Sequence, residues 1–275
     1  MKISLFDRIF KPKKIQLPNG HYVFKPFSRI PFILIALLVV IIISAKMTNF
    51  QFSVLINRFN QFTVILNKIF HPNMKYFSKV INPLIETIQM SVAGTIVGCL
   101  IGLPLAILAS SNINKNRPSL LLFRFFLSVL RSVPSLIYAS IFALVFSLGT
   151  LAGTVAIIVF TVGIVAKMLY ESIETIDMGP YEAMLSFGAT SFKAFWTACI
   201  PQILPTYLDD CLYCFELNVR ASAILGYVGA GGLGILIRER TGFRAYSDLG
   251  MILLSVFIVV WLIDFVNNMI RKKLS

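Results

Sequence analysis

The stretch LIETIQMSVAGTIVGCLIGLPLAILA, from Leu84 to Ala109, decides the fold. Its only charged residue is Glu86, and it is longer than the roughly 20 residues a helix needs to cross the hydrocarbon core of a bilayer. Gly94, Gly98 and Gly102 recur at every fourth position, followed by Ala106 and Ser110. In lipid, small residues along one helix face let backbones approach closely, so this face predicts a packing seam, open to a partner helix. Pro104 lies in the same stretch and predicts a bend.

Working outward, the rest of the 275-residue chain repeats the pattern. Apolar residues make up 57% of it, and the mean hydropathy is +0.82. A soluble domain of this size needs far more polar surface. Further apolar runs cover about Phe27 to Ala45, a span between Leu120 and Leu148, about Ala152 to Leu169, and about Leu249 to Met269. Another begins near Ile203 and gives way to glycines after Gly226. The pattern predicts an all-α membrane protein of about six transmembrane helices. It divides into a basic N-terminal segment (residues 1–29), a first helix with an external connecting segment (30–83), a transmembrane domain (84–269) and a basic tail (270–275).

The formal net charge is +13. In a soluble protein that excess would point to nucleic acid; here it marks membrane-flanking ends, and no nucleic-acid partner is expected. With the N-terminus inside, the cytoplasmic pieces carry the basic N-terminal segment, Lys115, Arg117, Lys167, Lys193 and the Arg271-Lys272-Lys273 tail. The opposite side carries Lys46, Arg58, Lys68, Lys75, Lys79, Arg238, Arg240 and Arg244. The bias predicts a multi-pass plasma-membrane protein with both termini cytoplasmic. Arg8, Lys11, Lys13, Lys14, Lys25 and Arg29 precede the first apolar run as a signal peptide's basic region would. That region is too long and no A-x-A-like site follows, so the run reads as an uncleaved span. Segment 46–82 mixes Phe52, Ile56, Phe59 and Val64 with Asn57, Asn60, Gln61 and Asn67. It is too polar to span, and reads either as a helix at the outer interface or as an ordinary connecting helix. Cys99, Cys199, Cys211 and Cys214 lie in apolar surroundings, and His21 and His71 are far from them. The cysteines therefore read as helix-packing residues, with neither disulfide framework nor metal site.

Between the fourth and fifth apolar runs the chain reads Glu182-Ala183-Met184, then Gly188, then Ile200-Pro201. A short helix after Pro180 with Glu182 in its first turn suits the helix dipole. Gly188 allows a sharp turn into a second short helix. Such an L-shaped element can dock on a soluble partner and pass rigid-body motion to membrane helices. The segment resembles the EAA loop of ABC importer permeases, E-A-A-x3-G-x9-I-x-L-P. Met184 stands for the second alanine, Ala198 for the isoleucine and Ile200 for the leucine; Glu182, Ala183, Gly188 and Pro201 match in register. Two further segments narrow the resemblance to the phosphonate-type permease family: Arg131-Ser132-Val133-Pro134-Ser135-Leu136-Ile137, and Phe215 to Gly226 (FELNVRASAILG) followed by Val228 to Gly234 (VGAGGLG). It covers about two-thirds of the chain, Leu84 to Met269. The resemblance implies a type I ABC importer permease (MetI-like) bundle that takes up phosphonates or related phosphorus oxyanions by alternating access. It also implies two ATP-binding subunits, a second permease copy (identical or a paired paralogue) and an extracytoplasmic solute-binding protein.

Arg131 and Arg220 sit deep in apolar runs, where a charge is costly and faces a cavity or a partner rather than lipid. Arginine matches the multi-oxygen geometry of a phosphonate. For Arg220 a structural reading stands beside this one, because Glu216 is four residues away on the same helix face. Pro134 frees the carbonyl of Leu130, which is tolerated where a span lines a cavity. Arg131, Ser132, Pro134, Glu216, Asn218, Arg220, Gly226, Gly229, Gly231 and Gly232 are thus the candidate translocation path or gate. Gly229 to Gly234 formally fits G-x-G-x-x-G, but a dinucleotide site needs a strand before it and a helix after it in a βαβ unit. Here the glycines follow a membrane helix, and Ser247 with Asp248 reads as the start of the last helix.

No P-loop, nucleophile elbow, zinc motif or catalytic carboxylate pair occurs. The chain is expected to be no enzyme and to need no cofactor; a separate subunit would supply ATP hydrolysis. Three rival readings remain. One is the same machine carrying methionine, another amino acid or a phosphorylated vitamin. Another is an ion-coupled secondary transporter, which predicts an inverted repeat and intramembrane acids such as Asp209, Asp210 or Asp264. The last, a non-transporting scaffold, runs against the EAA-like loop.

Overall fold

The structure, a computed structural model, describes residues 13–16, 22–25 and 30–274. It divides into two compact units, Met1–Thr63 and Val64–Ser275. Strands β1 (Lys13–Gln16) and β2 (Tyr22–Lys25) of the first unit pair antiparallel, with Lys13 opposite Lys25. This small hairpin is an addition to the expected all-helical chain. Residues 1–12 and 26–29, with Arg8, Lys11, Arg29 and the expected start of the first span, lie outside the described residues, as does Ser275 of the tail. Helix α1 (Ile30–Met47) lies where the first span is expected, and α2 (Phe52–Asn57) follows it.

The second unit begins within α3 (Phe59–Phe70). It continues through α4 (Phe77–Ala109), α5 (Arg117–Ser132), α6 (Ser135–Phe146) and α7 (Thr150–Thr175). Two short helices, α8 (Gly179–Ser186) and α9 (Ser191–Ala194), precede a π-helical turn at Phe195–Cys199. Helices α10 (Ile200–Leu225), α11 (Leu233–Gly242) and α12 (Tyr246–Leu274) complete it. Among the described residues, α4 (with the turn before it), α7 and α12 are each long and apolar enough to cross a membrane, and two bent pairs make up to five. α5 and α6 meet at 87°, and the α10 segment meets α11 at 51°. α1 is a shorter apolar helix. The two broken spans have causes in the sequence: Pro134 at the first, and the glycines of 226–232 at the second.

The small-residue face of α4 packs against α7 of the same chain. A Cβ on Gly94 would lie 2.5 Å from Ile157 Cγ2, and one on Gly98 would lie 2.6 Å from Thr161 Cβ. Below them Gly102 faces Val165 and Ala166. Helix α4 continues through Pro83 and Pro104 without interruption. Helix α7 is the hub, with Ala152, Ala156, Ile157, Val165, Ala166 and Leu169 buried. The outward faces are apolar as well: Ile96, Leu100, Phe257 and Trp261 are all exposed. Apolar residues on the outside and packed small residues inside are what a lipid solvent selects.

Polar groups inside the bundle are bonded across helices. Asn218 on α10 donates to Thr95 Oγ1 of α4 and Thr161 Oγ1 of α7, both at 2.8 Å. Ser91 and Ser222 hydroxyls meet at 2.7 Å. Thr87 Oγ1 accepts from the Leu233 N–H at 2.9 Å, which ties α11 to α4. Interhelical bonds of this kind contribute on the order of 1 kcal/mol each in a membrane.

Candidate functional site

The segment from Gly179 to Cys199 caps one end of the bundle. Gly179 donates to Asp177 Oδ1 at 2.9 Å, and Pro180 occupies the first turn of α8, where its missing N–H costs nothing. Helix α8 ends in a Schellman arrangement: Gly188 donates to the Leu185 carbonyl at 2.9 Å and Ala189 to that of Met184 at 3.1 Å. This places Gly188 at φ +82°, a conformation that favours glycine. Thr190 Oγ1 then accepts from the Lys193 N–H and caps α9. The chain returns through the π turn into α10, with Pro201 at its start.

Two features fix this loop to the bundle. Tyr181, Ala194, Phe195 and Cys199 are buried in one apolar cluster with Leu169 and Ile173 of α7. The two arms are clasped by Gln202, which accepts from the Asp177 N–H at 3.2 Å and donates to the Asp177 carbonyl at 3.1 Å. On the outside, Glu182, Ala183 and Gly188 are exposed. So are three aromatics: Phe187 (91%), Phe192 (74%) and Trp196 (60%). Phe192 and Trp196 stack with ring centroids 6.1 Å apart. The sequence reading found Glu182, Ala183, Gly188 and Pro201 but missed Gln202, Tyr181 and the aromatics. Only the three-dimensional turn brings these together.

The expected path residues fall in three places. Arg131 and Ser132 end α5, and Pro134 starts α6 after the 87° break. The Leu130 carbonyl freed by Pro134 accepts from Tyr138 Oη at 2.8 Å, so the break is internally satisfied. Arg131 lines a cavity of about 520 Å³ with Lys167, Asp209, Asp210, Tyr213 and Arg271 among its walls. Asp209 forms an ion pair with Arg271, Oδ1 to Nε 2.8 Å, which ties α12 to α10.

Arg220 lies elsewhere. It pairs with Glu216, one turn away on α10, and its Nη2 lies 3.4 Å from Asp264 Oδ2 on α12. This geometry favours the structural reading of that pair. Asn218 is buried in the interhelical network and faces no cavity wall named above.

The glycines form a packed junction at the opposite end from the loop. Gly149 donates to the Gly229 carbonyl at 2.9 Å. Gly229, Gly231 and Gly232 all have positive φ. A Cβ on Gly226 would lie 2.8 Å from Gly234 Cα, one on Gly231 2.8 Å from the Thr150 nitrogen, and one on Gly232 2.5 Å from Thr87 Oγ1. Close backbone approach, rather than a phosphate cradle, explains these glycines. The run follows helix α10 with no strand before it.

A bundle of broken and unbroken apolar helices, with a two-helix loop exposing aromatics at one end, defines a multi-pass helical membrane protein. The chain belongs to the family of binding-protein-dependent transport system inner membrane components, whose model matches residues 102–275. It is 34% identical over 221 residues to the phosphite transport system permease protein PtxC of Stutzerimonas stutzeri, covering 79% of each chain. It is 35% identical over 189 residues to the phosphate-import permease protein PhnE of Mycolicibacterium smegmatis, covering 69% of this chain but 36% of that one. In solved structures, a chain of the MetNI methionine ABC transporter in an inward-facing conformation matches with a TM-score of 0.66 at 24% identity. That match covers 74% of this chain and 99% of the other. The fold is that of the MetI-like ABC importer permeases.

Proposed function

We propose that the chain is the membrane-spanning subunit of an ATP-driven importer for phosphonates or related phosphorus oxyanions, working by alternating access. The observation that carries this reading is the loop of α8, α9 and the π turn. It has the residue pattern of an EAA loop, it is clamped to the bundle through Tyr181, Phe195 and Gln202, and it presents exposed aromatics where a soluble partner would dock. Two ATP-binding subunits would bear on this loop, one per permease copy, with both termini of the chain cytoplasmic. Nucleotide-driven closure of those subunits would move the bundle through the clamp and open the far side to an extracytoplasmic solute-binding protein.

Phosphorus oxyanions as cargo are supported by the relatives named for phosphite and phosphate transport. On the chain itself, Arg131 beside the large cavity is the residue suited to such an anion. The remaining path candidates, from Glu216 to Gly232, act in this reading as the helix pairing and hinge that let the bundle change shape. The coupling role is tested by Glu182→Ala and by a bulky residue at Gly188, in the assembled transporter. Both variants should insert normally and lose uptake relative to ATP hydrolysed. Uptake retained at the normal ratio in both would refute the role of the loop.

A further inference from the structure

Helices α5 and α7 face one another with polar residues at helical spacing. Arg124, Ser128 and Arg131 lie on one face of α5, and Lys167 and Tyr170 lie on one face of α7. Together they line a cavity of about 90 Å³, with Leu127 as its apolar floor. Liquid water takes about 30 Å³ per molecule, so the space holds a few waters or one tetrahedral oxyanion. It is far below the roughly 300 Å³ at which pockets for larger organic ligands begin.

Charge and geometry both favour an anion. Three cationic residues, a serine and a tyrosine line the cavity with Leu127, and no acid is in its wall. Of the acids around it, Glu174 pairs with Arg124, Glu171 lies 3.2 Å from Lys167 and Asp209 pairs with Arg271, while Asp210 stands in the wall of the adjoining 520 Å³ cavity. Among the described residues Arg131 makes no ion pair. Of the three cations in this wall, Arg131 is thus the one without an ion-pair partner among the described residues, in a segment bordered by apolar surface where an unpaired charge is costly. Arg124 is held in place from three sides, by Glu174, by the Ala109 carbonyl at 2.9 Å and by the Tyr170 ring at 5.1 Å. The guanidinium is thus preorganised, which lowers the cost of binding.

We propose that the cavity between Arg124, Ser128, Arg131, Lys167 and Tyr170 is a binding site for a single phosphorus oxyanion. Arginine forks and a lysine match its oxygens, and the serine and tyrosine hydroxyls donate to those the cations leave free. Two sources offer this chemistry. Arg131 and Lys167 also line the 520 Å³ cavity, through which a free oxyanion can arrive. The other face of α5 exposes Leu121, Leu122, Phe125 and Phe126, which places the site within reach of a lipid phosphate. The choice of a phosphorus oxyanion rests on the transport reading, while binding is measured apart from uptake.

The test is titration of the purified full chain, in nanodiscs of phosphatidylcholine, with methylphosphonate and with phosphite, followed by calorimetry. A second arm measures retention of phosphatidic acid by native mass spectrometry. Saturable binding of the free oxyanions, weakened about tenfold or more in Arg131→Gln and in Lys167→Gln, identifies a free-anion site. Phosphatidic acid retained by the wild type, lost in the same variants and not displaced by the free anions, identifies a headgroup site. Arg238→Gln removes an equal charge at α11 and should change neither arm. Thermal unfolding of each variant separates lost binding from lost folding, and Arg131→Lys supplies a milder change expected to keep part of the affinity. The inference is overturned if neither ligand binds, or if folded Arg131→Gln and Lys167→Gln bind as the wild type does. Failure of the transporter to take up any phosphorus compound would sink the transport reading while leaving this binding result as measured.

Discussion

Gly188 has φ +82°, and no atom lies within 4 Å of where a Cβ would stand. Gly188→Ala is therefore strained by its backbone and not by crowding, at roughly 1–2 kcal/mol. Faster amide exchange confined to residues 179–199 is the expected sign; exchange speeding up throughout the bundle would contradict it. Asn218 is the opposite case, a buried amide with two threonine partners. Asn218→Ala leaves Thr95 and Thr161 short of a donor and should cost about 1–3 kcal/mol, read as a lower unfolding temperature in detergent. An unchanged transition would mean the network is not formed. Tyr138→Phe removes the donor to the Leu130 carbonyl at the α5–α6 break, with an expected loss of about 1 kcal/mol. Its transition should fall by less than that of Asn218→Ala, and an equal or larger fall would contradict this ranking.

Among the elements, the seam between α4 and α7 dominates. Gly98→Leu would push a side chain into Thr161 and should cost about 3 kcal/mol or prevent assembly of the bundle. Size-exclusion and thermal-shift profiles matching the wild type would contradict the seam. The four-residue glycine period made this face legible from sequence, but not its partner. A period identifies a face, and Ile157, Thr161 and Val165 on α7 look from sequence like any apolar stripe. The break at Pro134 was legible for a similar reason, because proline removes a donor wherever it stands. The angle and its cap by Tyr138 were not, since they depend on how α6 packs. The Arg124–Arg131 and Lys167–Tyr170 faces were missed because each is an unremarked helical spacing until two helices are laid side by side. The Gln202–Asp177 clasp was hidden likewise, by a loop whose two arms are distant in sequence and adjacent in space.

At the scale of the whole molecule, the reading requires a second protein on the loop. Phe187→Asp combined with Phe192→Asp should leave the bundle folded, because both side chains are exposed, yet reduce co-purification of the ATP-binding subunit. Undiminished co-purification would place the contact elsewhere. Arg271 with Asp209 and Arg220 with Asp264 hold α12 to α10 by charge, in addition to apolar packing. The measurement that bears most directly on the account is uptake into proteoliposomes. They would hold the chain assembled with its ATP-binding subunits and supplied with its solute-binding protein, and be offered labelled phosphite, methylphosphonate and methionine in turn. The account predicts ATP-dependent accumulation of the phosphorus compounds and none of methionine. Accumulation of methionine alone would contradict the cargo, and accumulation driven by an ion gradient without ATP would contradict the mechanism itself.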